Sequence, residues 1–159
     1  MLNIKFITVG SLKEDYLQSA AAEYSKRLGG FCRFELVELK EEKLPDSPSE
    51  NEIKKALDKE AEKIFSEIPA RAQKIAMCIE GKQLSSPELA EKLEKISVST
   101  SDVVFIIGSS FGLSDKVKSS ADLSLSVSKL TFPHQLMRVI LLEAVYRALN
   151  ISKGTKYHK

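Results

Sequence analysis

The ten residues VVFIIGSSFG, positions 103–112, decide the fold class. Val103, Val104, Phe105, Ile106 and Ile107 leave no polar face. A short apolar run rich in β-branched residues reads as a strand covered on both sides, as at the centre of a parallel sheet. Gly108 and Gly112 bracket the turn that follows. A glycine there permits positive φ or close backbone approach to a ligand.

Working outward, strands and helices alternate. Alternating apolar residues over 3–9, closed by Gly10, predict a first strand. Tyr16, Leu17, Ala20, Ala21, Tyr24 and Leu28 fall at helical spacing over 14–28, and Gly29 with Gly30 ends that helix. Residues 34–39 read as a second strand. Residues 40–51, polar and holding Pro45 and Pro48, read as a mobile surface loop. Ile53, Leu57, Ala61, Ile64, Phe65 and Ile68 mark one face of a charged helix that Pro69 breaks. Residues 74–79 read as a third strand, ending in Glu80-Gly81-Lys82. Ser85, Ser86, Pro87 and Glu88 form a helix-start signature for a helix running to about Ile96. Beyond Gly112, Ser114 and Asp115 open a short helix, and 123–127 is a last strand. The alternation predicts one α/β domain over 1–159 built on a parallel sheet.

The helix predicted over 134–149 differs from the others. Leu136, Met137, Val139, Ile140, Leu141, Leu142, Ala144, Val145, Tyr146, Ala148 and Leu149 cover most of its circumference. Such a helix needs cover on all sides. The sheet covers one side. A second copy of the chain is expected to cover the other, in a symmetric homodimer, with other helices of the same chain as the alternative.

Composition limits the function classes. Hydrophobic residues make up 43% of the chain and charged ones 29%, enough for a core and a solvated surface. No apolar run reaches the roughly 18 residues of a membrane span. The opening MLNIKFITVG lacks a secretory pattern. Cys32 and Cys78 do not make a disulfide framework, so a reduced cytoplasmic setting is expected. Two histidines, His134 and His158, exclude a histidine-rich metal centre, and no metal is expected. There is no Gly-x-Gly-x-x-Gly after the first strand, no Gly-Lys-[Ser/Thr] phosphate loop and no nucleophile elbow. The net charge of +2 is polarised. From Lys129 onward six Lys/Arg stand against Glu143 alone, a balance of +5, leaving −3 for the preceding 128 residues. The basic end is suited to an anionic partner.

In a parallel α/β sheet, ligands sit at the carboxyl ends of the strands. Three such ends stand out: residues 77–81, 108–112, and 127–134. The last, VSKLTFPH, offers the hydroxyls of Ser128 and Thr131, backbone amides, the ring of Phe132 and a stiffening Pro133.

The stretch TFPHQLMRVILLEAVYRALNISKGTKYHK, 131–159, resembles the C-terminal signature of the RlmH family, bacterial large-subunit rRNA pseudouridine methyltransferases of the SPOUT superfamily. The likeness extends through IKFITVGSLKEDYL, EYSKRL, ALDKEAEKI, IEGKQLSS and VVFIIG, but the TFPHQLMR and YHK blocks at this spacing are its specific part. The resemblance implies a trefoil-knotted α/β fold, with knot and dimer contacts in about residues 103–159. It implies S-adenosylmethionine as cofactor, a homodimer, and a uridine-type base of large-subunit rRNA within the ribosome as acceptor. The matching donor-binding positions are Met77, Gly108, Val127, Ser128, Lys129, Leu130, Thr131 and Phe132. Where the family has a second glycine after the VVFIIG-type strand, this chain has Ser109.

The acceptor implied is ring nitrogen 3 of a pseudouridine, which must lose a proton to become a nucleophile. Arg138 is the expected cation near the resulting anion, with a structural ion pair as its alternative. His158 is the expected proton acceptor or phosphate contact, and Tyr157 is placed to stack on a base. Two other readings are a SPOUT methyltransferase acting on tRNA and a non-catalytic, ribosome-associated RNA-binding protein.

Overall fold

The computed structural model describes residues 1–159. The strands are β1 (Asn3–Val9), β2 (Arg33–Leu39), β3 (Gln73–Gln83), β4 (Asp102–Ile107) and β5 (Leu123–Ser126). The helices are α1 (Asp15–Leu28), α2 (Glu50–Glu67), α3 (Ser86–Ser99), α4 (Asp115–Ser120) and α5 (His134–Ser152). The sheet order is β2-β1-β4-β3-β5 and every pairing is parallel. The apolar VVFIIG segment is indeed central: Val103 to Ile106 of β4 are fully buried between β1 and β3.

Helices cover both faces. Leu17, Ala21 and Leu28 of α1, Leu89, Leu93 and Ile96 of α3, and Leu141, Leu142, Val145 and Ala148 of α5 pack on Ile4, Phe6, Phe105 and Ile75 of the sheet. On the opposite face Ala61 and Ile64 of α2 and Val117 of α4 pack on Ile7, Val9, Ala76, Val104 and Ile106. Each fully buried Val, Leu, Ile or Phe side chain among these contributes about 1.5–3 kcal/mol. Capping boxes start α2 and α3. Ser49 and Glu52 exchange hydrogen bonds in the first, Ser85 and Glu88 in the second.

Two elements depart from the pattern read in the sequence. β3 does not end at Ile79. It bulges after Met77 and rejoins β5 at Lys82, so both Met77 and Lys82 stand opposite Leu125. Gly81 makes this possible, because a Cβ there would meet the Ser124 carbonyl carbon and oxygen at 2.7 Å. The polar segment before α2 is tied down: Lys63 reaches Glu42 at 2.6 Å and the Lys40 carbonyl at 3.2 Å, and the Glu42 amide donates to Glu60 at 2.9 Å. No helix is long and apolar enough to cross a membrane.

Helix α5 is covered within the chain by the sheet, α1 and α3 over much of its surface. Val139, Ile140 and Ala144 remain half-buried and Leu136 is exposed.

Candidate functional site

The carboxyl ends of β3, β4 and β5 frame a cavity of about 350 Å³. It meets the size of ligand pockets, roughly 300–1,000 Å³. Three loops distant in sequence build it: the β3 bulge, the turn after β4, and the segment between β5 and α5.

The turn after β4 is drawn tight by its glycines. A Cβ on Gly108 would stand 2.2 Å from the Gly112 carbonyl oxygen, so only glycine fits. The Gly112 amide donates to the Ser109 carbonyl at 2.8 Å, and Gly112 holds φ +85°, a region open to glycine. Ser109 is 6% exposed, and its hydroxyl points towards Glu60 of α2 at 3.4 Å. It is not among the residues with positive φ. Serine therefore fits where the resembling family has glycine. Burial raises the Glu60 carboxyl above the usual range.

The segment after β5 is organised by its own hydroxyls. Ser126 donates to the Ser128 carbonyl at 2.9 Å, and the Leu130 amide donates to the Ser128 hydroxyl at 3.0 Å. Leu125, Thr131 and Phe132 face the cavity, joined by His134 and Met137 from the first turn of α5. Opposite them the β3 bulge contributes Cys78, Ile79 and Glu80, and Lys118 of α4 pairs with Glu80 at 2.8 Å. That hydrogen bond lowers the Glu80 carboxyl and raises the Lys118 ammonium. The result is an apolar slot with a hydroxyl-bearing rim and one ion pair.

Of the residues the sequence singled out, Met77, Gly108, Val127, Ser128, Thr131 and Phe132 line this cavity together. Lys129 and Leu130 lie in the same loop, both exposed, and do not line it. Arg138 is not brought to it. Its side chain is 1% exposed, paired with Glu38 at 2.6 Å and donating to the Gly10 carbonyl at 2.8 Å. Its Nε has no partner. Burial lowers its pKa and Glu38 opposes that shift. Within the protomer Arg138 forms the structural ion pair that was its alternative reading.

Tyr157 and His158 sit further along α5. The Tyr157 hydroxyl donates to Glu143 at 2.9 Å, and His158 Nδ1 lies 3.4 Å from Arg147. Glu143 and Arg147 follow Met137 by roughly two and three turns, about 9–15 Å of helical rise. Neither tail residue lines the protomer's own cavity. Glu80 lies in the strand end 77–81 singled out in the sequence, whereas Lys118, Ser126 and Met137 were not placed in the cavity. Nothing local marks Lys118.

The family model described as "Predicted SPOUT methyltransferase" matches residues 2–158. This chain belongs to the SPOUT methyltransferase family. Full-length relatives agree: "Ribosomal RNA large subunit methyltransferase H" of Streptococcus thermophilus (strain ATCC BAA-491 / LMD-9) is 51% identical over 159 residues, covering 99% of this chain and 100% of the relative. The protein of the same description from Latilactobacillus sakei subsp. sakei (strain 23K) is 48% identical over the same coverage. A solved structure of a probable methylase family protein from Haemophilus influenzae Rd KW20 aligns with TM-score 0.53 at 15% identity, over 98% of this chain and 70% of that one. That likeness bears on the fold alone. Membership of a methyltransferase family implies a methyl-donor cofactor.

Proposed function

We propose that this enzyme transfers the methyl group of S-adenosylmethionine to ring nitrogen 3 of a pseudouridine in large-subunit rRNA, acting as a homodimer on assembled ribosomes. The observation that carries the reading is the cavity formed by the loops after β3, β4 and β5, in a chain about half identical, end to end, to proteins named as large-subunit rRNA methyltransferases.

The donor fits what the cavity offers. Met77, Leu113, Leu125, Phe132 and Met137 supply apolar walls for an adenine ring and a thioether chain. The backbone of 126–132 and 108–112 supplies polar groups at the rim. When bound, S-adenosylmethionine supplies a methyl carried on a sulfonium. The acceptor's N3 proton would pass to a base of the protein as the methyl is received. The protein's share is orientation of the acceptor and reception of that proton.

The tail residues divide that work. Burial, followed by the Glu143 hydrogen bond, raises the Tyr157 phenol to about 12. Tyr157 therefore stays protonated near neutral pH and serves as a donor or a stacking surface. His158 is the tail group whose chemistry suits a proton acceptor. Arg138 acts as a brace beneath the ends of β1 and β2 through Gly10 and Glu38.

Because the tail lies away from its own cavity, we assign it to the cavity of the partner subunit. Exposed apolar residues support a partner seat there. Ile79 and Phe111 line the cavity at 52% and 45% exposure, with Leu130 and Leu136 in the adjoining loop and helical turn. The trefoil knot is proposed for about residues 103–159, with the segment between β5 and α5 as the knot loop. The basic balance of this end suits RNA.

Transfer of tritiated methyl groups tests the reading. Labelling of ribosomes and not of bulk tRNA is expected. Labelled tRNA would favour the tRNA reading. A melting temperature unmoved by S-adenosylmethionine would favour a binding module without donor chemistry.

A further inference from the structure

Residues 155–158 form neither helix nor strand, yet they are tightly engaged. Thr155 opens the engagement. Its hydroxyl donates to the Asn150 side-chain oxygen at 2.6 Å, and its amide donates to the Asn150 carbonyl at 3.1 Å. Asn150 is itself 3% exposed and anchored to the Tyr146 carbonyl at 2.9 Å. The Tyr157 ring then packs edge-on against Tyr146, centroids 4.8 Å apart. Glu143 Oε1 accepts from both the Tyr157 hydroxyl, at 2.9 Å, and Arg147 Nη2, at 2.6 Å. The Arg147 guanidinium lies 4.8 Å from the Tyr157 ring centroid, with Nη1 turned to His158.

A pair such as Glu143–Arg147, with both side chains more than a quarter exposed, adds little to stability. What it does is geometric. One carboxylate and one guanidinium, four residues apart on α5, hold the hydroxyl, the ring and the imidazole of two successive tail residues. Ordering an irregular segment costs conformational entropy, and these contacts offset that cost before any RNA arrives.

We infer that Glu143 and Arg147 are positioning residues for methyl transfer, a clasp that fixes Tyr157 and His158 in the orientation presented to the acceptor. The inference rests on the proposed reading that the tail faces an acceptor base. Misplacing a reacting group by about 1 Å costs up to roughly a hundredfold in rate. The clasp is therefore expected to appear in kcat and not in donor affinity.

The test uses the full-length protein with ribosomes as acceptor and compares five variants: Glu143→Gln, Arg147→Lys, Tyr157→Phe, the Glu143→Gln and Tyr157→Phe double substitution, and a chain lacking residues 156–159. The shortened chain should lose turnover by a hundredfold or more. Glu143→Gln and Arg147→Lys should each lower kcat about tenfold, with donor Kd, KM for ribosomes and melting temperature unchanged. Glu143→Gln added to Tyr157→Phe should cost less than the two separate losses combined, because Tyr157→Phe already removes the hydroxyl that Glu143 holds. Full turnover in Glu143→Gln and Arg147→Lys, with an inactive shortened chain, would overturn the clasp and leave the tail reading standing. Full turnover in the shortened chain would remove the tail reading and the clasp with it. A fall in melting temperature or donor affinity that parallels the loss of kcat would mean a merely structural pair.

Discussion

Arg138 and Glu38, a hundred positions apart in the chain, meet at 2.6 Å with the guanidinium buried and the carboxylate 42% exposed. The asymmetry decides what each substitution does. Glu38→Ala strands a desolvated cation, a change that in a fully buried pair costs about 3–5 kcal/mol. Water can reach part of this site, so about 2 kcal/mol is expected. Glu38→Gln keeps a hydrogen-bond acceptor and should cost less. Urea unfolding of both variants checks the order, and equal losses would show that the charge is immaterial.

The two glycines of the β4 turn should respond differently. Gly108→Ala forces a methyl into the Gly112 backbone, so the turn must open and donor binding should be lost. At Gly112 a Cβ meets nothing within 4 Å, and only the positive φ penalises a side chain. Gly112→Ala should cost about 1–2 kcal/mol and leave a measurable donor site. Calorimetric titration separates the two. Normal donor affinity in Gly108→Ala would remove the turn from the site.

Ser109→Gly should preserve donor affinity within about twofold, since the serine side chain turns towards Glu60 and its φ is not positive. It frees the backbone and drops one polar contact, so a stability loss of about 1 kcal/mol is expected in a thermal melt. A tenfold change in donor affinity would show that the hydroxyl acts on the donor directly.

The cysteines give a pH-dependent check. Burial pushes the Cys32 thiol from about 9 to about 11, so the folded state holds that proton more tightly than the unfolded one. Its contribution to stability is complete below about pH 9 and is lost as pH rises towards 11. The stability difference between the protein and Cys32→Ala should shrink over that window in urea melts. Cys78 lines the cavity and is half-buried. At pH 8 iodoacetamide should modify Cys78 before Cys32, and S-adenosylmethionine should protect Cys78. Labelling unaffected by the donor would place the donor elsewhere.

Much of the fold was legible because burial periodicity is local. The unbroken apolar run of β4 gave the centre of the sheet, and the Ser85 and Glu88 pattern gave the start of α3. The bulge of β3 was not legible. Cys78 to Gly81 interrupt the strand pattern, and only the pairing with β5 shows the strand resuming at Lys82. The apolar girth of α5 was legible, but not its cover, because α1 and α3 meet it through tertiary packing. That the loops after β3, β4 and β5 meet around one cavity was legible from the strand ends. The ion pair of Arg138 was open in the sequence as an alternative, but its partner was not, since no pattern in sequence links Arg138 to Glu38.

The most direct measurement of the central claim is mass spectrometry of large-subunit rRNA nucleosides from a strain lacking the gene, before and after its ribosomes are incubated with this protein and S-adenosylmethionine. The expected result is a single added methyl on a pseudouridine, absent before incubation and absent with the shortened chain. Methylation that appears only when tRNA is supplied, or no methylated nucleoside in either RNA, would contradict it.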